Sequence, residues 1–505
     1  MRAPGSPRRA ALALLTAAAV GGCGRFGFDG TGGGNDARGG GDGGGVGGDG
    51  GSPDGLPVAD APVSPFQSPT LGRVDFIGGE GGQSVMSVAS DAAGNIVVVG
   101  YARDRSIEVE GLLIGDVGRT DLSAWIVRFA ADGGATWWDD ATGMGDERMW
   151  GVAADSQGNW YGCGSYTSDQ IEFGVSADVP GGGENGFVVS WDPAGNVRWV
   201  RAFGGNADDY CFGIAVGPDT DGVESVHFTG WVTDTATFNG QMSTTTAGGQ
   251  DAVYGIVSLT GDVLKFDSYG GVGGDQGQGI AVSPTKNFAI VGQFSETAAF
   301  PSNTVAADGG IDGFAYLSTP NAGADAIAAH GPDTERLVDV DLDNADRAAY
   351  VGSFGNTVAF GQSAAVTTNG GRDGLFVTSE PGIDSVATFG SAFDDDANAV
   401  TFLPGGRYLV VGRYTHASNA TGEILQQTVV DRGTAADGLA FIAEDAGTLL
   451  WFEFIGGNTF DTMIDAARTP SGFVTVGEFA SFFDYAGFNF SPAASDIMIL
   501  RWQLP

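Results

Sequence analysis

A short apolar run ending on glycine recurs seven times along this chain, and that recurrence limits the fold more than any other feature. NIVVVGYA carries Gly100, WYGCGSY Gly164, VHFTGWV Gly230, FAIVGQF Gly292, AYVGSF Gly352, YLVVGRY Gly412 and FVTVGEF Gly477, at intervals of 64, 66, 62, 60, 60 and 65 residues. A second apolar run precedes each: SVMSVAS, RMWGVAA, YCFGIAV, QGQGIAV, RLVDVDL, DANAVTF and TMIDAAR. Turns such as DAAGN, DSQGN and PDTDG separate the two, and their Asp, Asn and Gly residues suit tight hairpins. A third run follows, as in AWIVRF, GFVVSW and IMILRW, and a fourth ends near a glycine pair, as in WVRAFGG and WFEFIGG. Helical periodicity is scarce throughout.

Each unit therefore reads as a four-stranded sheet with apolar residues on both faces. Such a sheet cannot cover itself, but units stacked in a circle cover one another. The expected fold class is all-β: a seven-bladed β-propeller of four-stranded blades. RVDFIGG, residues 73–79, is a fourth-strand copy placed ahead of the first complete set, and the chain ends soon after a third strand at Trp502. The N-terminal strand is thus expected to join the last blade and close the circle. An open arc would leave apolar faces exposed.

The first seventy residues are of another kind. Arg2, Arg8 and Arg9 lead into AALALLTAAAV, residues 10–20, an apolar segment of signal-peptide length and too short to span a bilayer. Val20-Gly21-Gly22-Cys23 resembles the lipobox of bacterial lipoproteins, which implies acylation of Cys23 and anchoring to a lipid bilayer without a transmembrane helix. Gly24 after that cysteine suits outer-membrane sorting. DGTGGGNDARGGGDGGGVGGDGGSPDG, residues 29–55, has almost nothing to bury and reads as a charged spacer. The expected organisation is a signal peptide over 1–22, a lipidated cysteine and Gly/Asp-rich tether over 23–71, and the propeller over 72–505.

The repeat itself resembles the seven-bladed β-propeller (SBBP) repeats of bacteria, in GGNADDYCFGIAV, GFVVSWDPAGNVRWVRAFGG and DAVYGIVSL above all. The fifth unit departs from it, with acids in GPDTERLVDVDLDNADRAAYVGSF. The resemblance implies architecture and an extracytoplasmic location, not a shared reaction.

A net charge of −39, with 23 Lys and Arg against 62 Asp and Glu, argues against nucleic acid or anionic lipid as partners of a basic face. Stepping back six residues from Ala89, Ala153, Ala215, Ala281, Asp341, Thr401 and Ala467 reaches Gln83, Glu147, Asp209, Asp275, Glu335, Asp395 and Asp461. These acids are expected to sit at one rim. The plainer reading has them accepting backbone N–H bonds; the sharper one has them attracting Ca²⁺, a hard cation suited to carboxylates. Asp339, Asp341 and Asp343 form a second candidate metal cluster, with Asp339 and Asp341 on one face of their strand and Asp465 as the seventh-unit counterpart of Asp339. GPDTDGVE resembles a calcium loop only faintly.

His227, His330 and His416 lie in three different units without metal-type partners, and no nucleophile elbow or phosphate loop occurs. Cys163 and Cys211 belong to neighbouring units; a disulfide is open to an exported protein, and two buried thiols is the plainer reading. The connections after the second strands carry Phe173, Phe238, Phe300, Phe360 and Tyr485, as anchors of small hairpins or as a glycan- or peptide-binding surface. The function expected is that of a monomeric, membrane-anchored envelope lipoprotein whose propeller binds or scaffolds a protein, glycan or cation without catalysis. The alternative is an extracytoplasmic enzyme with its site at the channel mouth.

Overall fold

The structure is a computed structural model, and it describes residues 66–505 apart from 80–81, 104–106, 110–111, 115–120, 178–180, 320–322, 381–382, 416–420, 431–434, 445, 458–459, 481–482, 486–487 and 491–495. Cys23, the signal-like segment, the tether up to residue 65 and His416 lie outside the described residues. The described chain is all-β, with no helix among the described residues.

Seven four-stranded antiparallel ladders are found among the described residues. Their first strands are Gln83–Ser90, Glu147–Ala154, Tyr210–Pro218, Gln276–Val282, Glu335–Leu342, Asp396–Leu403 and Asp461–Thr469. Each pairs with the second strand that holds the repeat glycine. The second strands pair with the third. In units one to six the fourth strand follows in sequence. In unit seven it is Thr70–Gly78, where Val74 stands opposite Leu500 and Ile77 opposite Ile497. The leading strand therefore joins the C-terminal sheet, as RVDFIGG predicts.

The repeat glycine has a definite cause. Every first strand slips register by one residue at the same place, between Val85 and Ser87 in the first unit and between Met463 and Asp465 in the last. The extra residue makes a β-bulge, which pushes a carbonyl toward the partner strand. A Cβ on Gly100 would run into the carbonyl oxygen of Ser84, one on Gly230 into that of Tyr210, and one on Gly352 into that of Arg336. No other residue type leaves that space free.

The hairpin turns also behave as their residues suggest. Asp91 Oδ1 accepts from the backbone N–H groups of Ala93 and Asn95 at 3.0 and 2.9 Å, and Asn95 Nδ2 donates to Asp91 Oδ2 at 2.7 Å. Asp155 with Asn159 and Asp192 with Asn196 repeat this clasp. Its left-handed position is glycine in Gly94 and Gly158, whereas Lys286 and Asp346 occupy it at φ of 75° and 63°.

The cores lie between consecutive sheets rather than within them. One joins Val97, Val99 and Ile126 to Met149, Trp160 and Trp191. Another joins Tyr161 and Val188 to Phe228, Val253 and Phe266. A third joins Val88, Val98 and Val127 to Val474, Val476 and Ile499, so the last sheet packs on the first. Burying such side chains is worth about 1.5–3 kcal/mol each, and none would be buried in an isolated unit. Cys163 and Cys211 are joined as a disulfide between neighbouring sheets, with Cα atoms 5.7 Å apart, within the range that bond requires. The reading as two free thiols is thereby corrected: antiparallel neighbours in adjacent sheets come within reach that linear spacing does not disclose.

Candidate functional site

The bulges place side chains as well as glycines. The bulged residue of each first strand, from Met86 to Ile464, and the residue after it line a single cavity of about 150 Å³. Trp150 and Phe212 come from units two and three, Gln278 from unit four, Asp339 and Asn398 from units five and six, and Asp465 from unit seven. The first strands that supply them neighbour one another in chain order, and the seventh also lies against the first.

The aromatic part is ordered by ring contacts. Trp150 is edge-on to both Tyr101 and Phe212, with centroids 5.8 and 5.3 Å apart. Tyr210 stacks on Phe212 and on Trp231. The Trp150 indole N–H donates to Ser165 Oγ at 3.1 Å, which holds the ring in place.

The cavity acids Asp339 and Asp465, and Asp341 on the strand of Asp339, have structural work of their own. Asp339 Oδ2 accepts from the Val400 N–H at 2.8 Å, Asp341 Oδ2 from the Phe402 N–H at 2.8 Å, and Asp465 Oδ2 from the Val88 N–H at 2.7 Å. Each carboxylate thus bridges its first strand to the next unit's first strand, where no backbone ladder runs. Asp339 and Asp341 do share a face, as alternation predicts. Asp343 instead turns back to its own hairpin, accepting from Arg347 Nε at 2.8 Å, so the three do not converge. Burial, and after it the Asp465 charge, holds the Asp339 carboxyl well above the usual carboxylate range. Burial pushes Asp465 and Asp341 up to about 6.

The residues six before the alignment point are all buried, each the first residue of a first strand or the one just before it. Asp209 accepts from the N–H groups of Gly205 at 2.8 Å and Thr233 at 2.9 Å. Asp395 accepts from Ser391 and Thr415, and Asp461 from Gly457 and Ala480. Asp275 accepts from Gly271 at 2.7 Å, and Glu147 from Gly145 at 3.4 Å. This is the backbone-bonding role, repeated with the same offset of four residues at most positions. Burial pushes Asp209 and Asp275 up to about 7, and Asp395 and Asp461 up to about 6. Among the described residues, no three His, Cys, Asp or Glu side chains come together as a metal site.

A second set of buried positions escaped the sequence reading: Ser123, Asn185, Asp251, Asp312, Asp373, Asp437 and Asp496, at the start of a third strand in five units and midway along the longer third strands Met242–Ser258 and Thr304–Thr319 in the other two. The available signal was the polar residue just ahead of the third apolar run, as in NGFVV, DGFAY and DGLFV. Ala247, Asp308 and Asn369 donate their backbone N–H groups to Asp251, Asp312 and Asp373.

Phe173, Phe238, Phe300 and Phe360 are buried, and each hairpin edge that carries Phe238 or Phe360 pairs with the fourth strand of the preceding unit. They anchor hairpins and present no surface. Nothing is described of the Tyr485 side chain. His227 is packed beneath its sheet with Nδ1 2.9 Å from the Tyr254 hydroxyl, and His330 Nδ1 lies 3.8 Å from Asp308 Oδ2. Compared with known proteins, the chain matches no family model and no curated protein.

Proposed function

We propose that the chain is a membrane-anchored envelope lipoprotein whose seven sheets form a seven-bladed β-propeller, and that the propeller is a non-catalytic binding module with its ligand contact at the central cavity. The propeller reading is supported by the unbroken succession of neighbouring first strands and by three hydrogen bonds from the last unit to the first. Gln83 Nε2 donates to Asp496 Oδ1 at 3.0 Å, the Val85 N–H to Glu478 Oε1 at 3.2 Å, and the Val88 N–H to Asp465 Oδ2 at 2.7 Å. The lipoprotein reading and the likeness to SBBP repeats rest on the residues quoted for them, Val20 to Cys23 and the repeat itself.

One observation carries the binding reading. Two residues after the bulge stands Val or Ile in six of the seven units, and three after it Ala in five, yet the bulged residue is Met86, Trp150, Phe212, Gln278, Val338, Asn398 or Ile464. Seven chemically different side chains pointed into one cavity by a shared backbone feature is the arrangement of a recognition surface on a rigid scaffold. Trp150 supplies its own reporter. Titrating the full chain with a panel of oligosaccharides, peptides and Ca²⁺ should give a saturable change in tryptophan fluorescence that Trp150→Phe and Gln278→Ala each weaken. No response to any member of the panel removes the cavity as the site.

A second reading is favoured by the Asp339 and Asp465 pair. Two carboxyls of unequal proton affinity in one cavity is the arrangement an acid–base enzyme uses. Turnover of a polysaccharide or peptide by the full chain, lost in Asp465→Asn, decides for it.

A further inference from the structure

The two sets of buried acids meet. At three junctions the third-strand residue of one unit stands beside the entry residue of the next unit's first strand, over the glycine at the end of the intervening fourth strand. In front of Gly270 the space is taken by Asp275 Oδ2 and Asp251 Oδ1, 2.5 and 2.6 Å from where a Cβ would be. Asn185 and Asp209 meet the same way over Gly204, and Asp437 and Asp461 over Gly456. The terminal glycine of the fourth strand is thereby explained: it makes room for two polar side chains from different sheets.

The junctions differ in one respect. Between units seven and one the pair is Asp496 with Gln83, and the amide supplies the hydrogen that the carboxylate accepts, at 3.0 Å. Between units two and three it is Asn185 with Asp209, again an amide beside an acid. At four junctions both members are acids. The Asp312 and Glu335 carboxyls are within hydrogen-bonding reach of each other. As two carboxylates neither could donate to the other, and Asp312 Oδ1 is then buried without a donor. Asp251 Oδ1 and Asp373 Oδ1 are left in the same condition. An uncompensated buried charge pair of one sign is far too costly to persist.

We propose that three doubly acidic junctions, Asp251–Asp275, Asp312–Glu335 and Asp373–Asp395, each hold one proton shared between their two carboxyls, and that loss of these protons in mildly alkaline solution loosens neighbouring sheets. A proton gives these three junctions the same charge and the same donor–acceptor count as Gln83–Asp496. A metal cation fits less well, because backbone N–H groups already point at the carboxyls: Gly271 at Asp275, Ala247 at Asp251 and Asn369 at Asp373.

The surroundings push the same way. Asp275 faces Glu296, Glu335 faces Asp333, and Asp312 faces Asp308, with His330 pulling Asp312 the other way. Asp373 faces Glu423, and Asp395 faces Asp396, whose charge is shared with Arg372. Asp461 faces Asp437. Burial leads in raising Asp251, Asp275, Asp312, Glu335, Asp373, Asp395 and Asp461. A carboxyl raised by folding binds more proton in the folded than in the unfolded chain, so the stability it contributes is full below the ordinary carboxylate value of about 4 and is lost as pH rises from there through the folded values.

The test compares the full chain with a variant carrying Asp251→Asn, Glu335→Gln and Asp373→Asn, which copies the amide–acid junction three times. The melting temperature of the wild type should fall between pH 6 and pH 9, and that of the variant should change much less over the same span. Equal slopes overturn the proposal, as does a wild-type loss at pH 9 that millimolar Ca²⁺ restores. Should the variant not fold, infrared spectra of the wild type decide: a protonated-carboxyl band at pH 7.5 that disappears by pH 9 supports the shared proton, and its absence at pH 7.5 overturns it.

Discussion

The carbonyl oxygen of Arg148 occupies the space that a Cβ on Gly164 would need. Gly164 stands opposite Met149, the residue after Arg148, across the first and second strands of unit two, where the bulge at Trp150 interrupts the register. The same bulge turns Trp150 toward the central cavity, so the glycine and the cavity residue are two sides of one backbone feature.

Gly164→Ala should therefore destabilise the protein by about 3 kcal/mol, the upper range for forcing an atom into a packed interior. Gly82→Ala, with open space around its Cβ, should change stability by no more than about 0.5 kcal/mol. Urea unfolding of the two variants measures the difference.

The N-terminal strand has an electrostatic lock. Asp75 is buried and accepts from Arg73 Nε at 2.6 Å and from Arg501 Nε at 3.2 Å. Arg73 is largely solvated, so its share is small, whereas Arg501 is mostly buried. Asp75→Ala leaves that guanidinium without its carboxylate and should cost about 2–3 kcal/mol. Limited proteolysis should then cut first near the N-terminal strand, with the rest of the domain following.

Cys163 and Cys211 close a loop with a sequence separation of 48 residues. A constraint of that length is worth about 4 kcal/mol in the chain-entropy account, and somewhat less where native geometry is strained. Reductant should lower the melting temperature of the wild type and leave that of Cys163→Ser/Cys211→Ser unchanged. Alkylation followed by mass spectrometry should label these two cysteines only after reduction.

His227 titrates in the direction opposite to the buried acids. Burial lowers it to about 4 from an ordinary value of 6.5. The unfolded chain takes up its proton before the folded one does, so the stability this residue permits at neutral pH declines as pH falls from 6.5 toward 4. Its imidazole resonances should remain those of the neutral ring through pH 6.5, and His227→Phe should flatten the acid limb of the stability profile.

The strands, their turns and their number per unit were legible in the repeat because each depends on neighbours in sequence. Asp91 clasps Asn95 four residues on, and Gly100 answers a bulge within its own hairpin. The entry acids were legible too, since Asp209 and Asp461 keep one offset from an apolar run. Their partners were not. Gln83 and Asp496 meet across 413 residues, and Cys163 meets Cys211 only because two sheets lie face to face. Periodicity of apolar and turn residues determines local backbone geometry, and that much the chain carries openly. Which acids lose their water, which of them must keep a proton and which side chains share the cavity are decided by packing between distant sheets, because desolvation and charge coupling depend on distance in space and not along the chain.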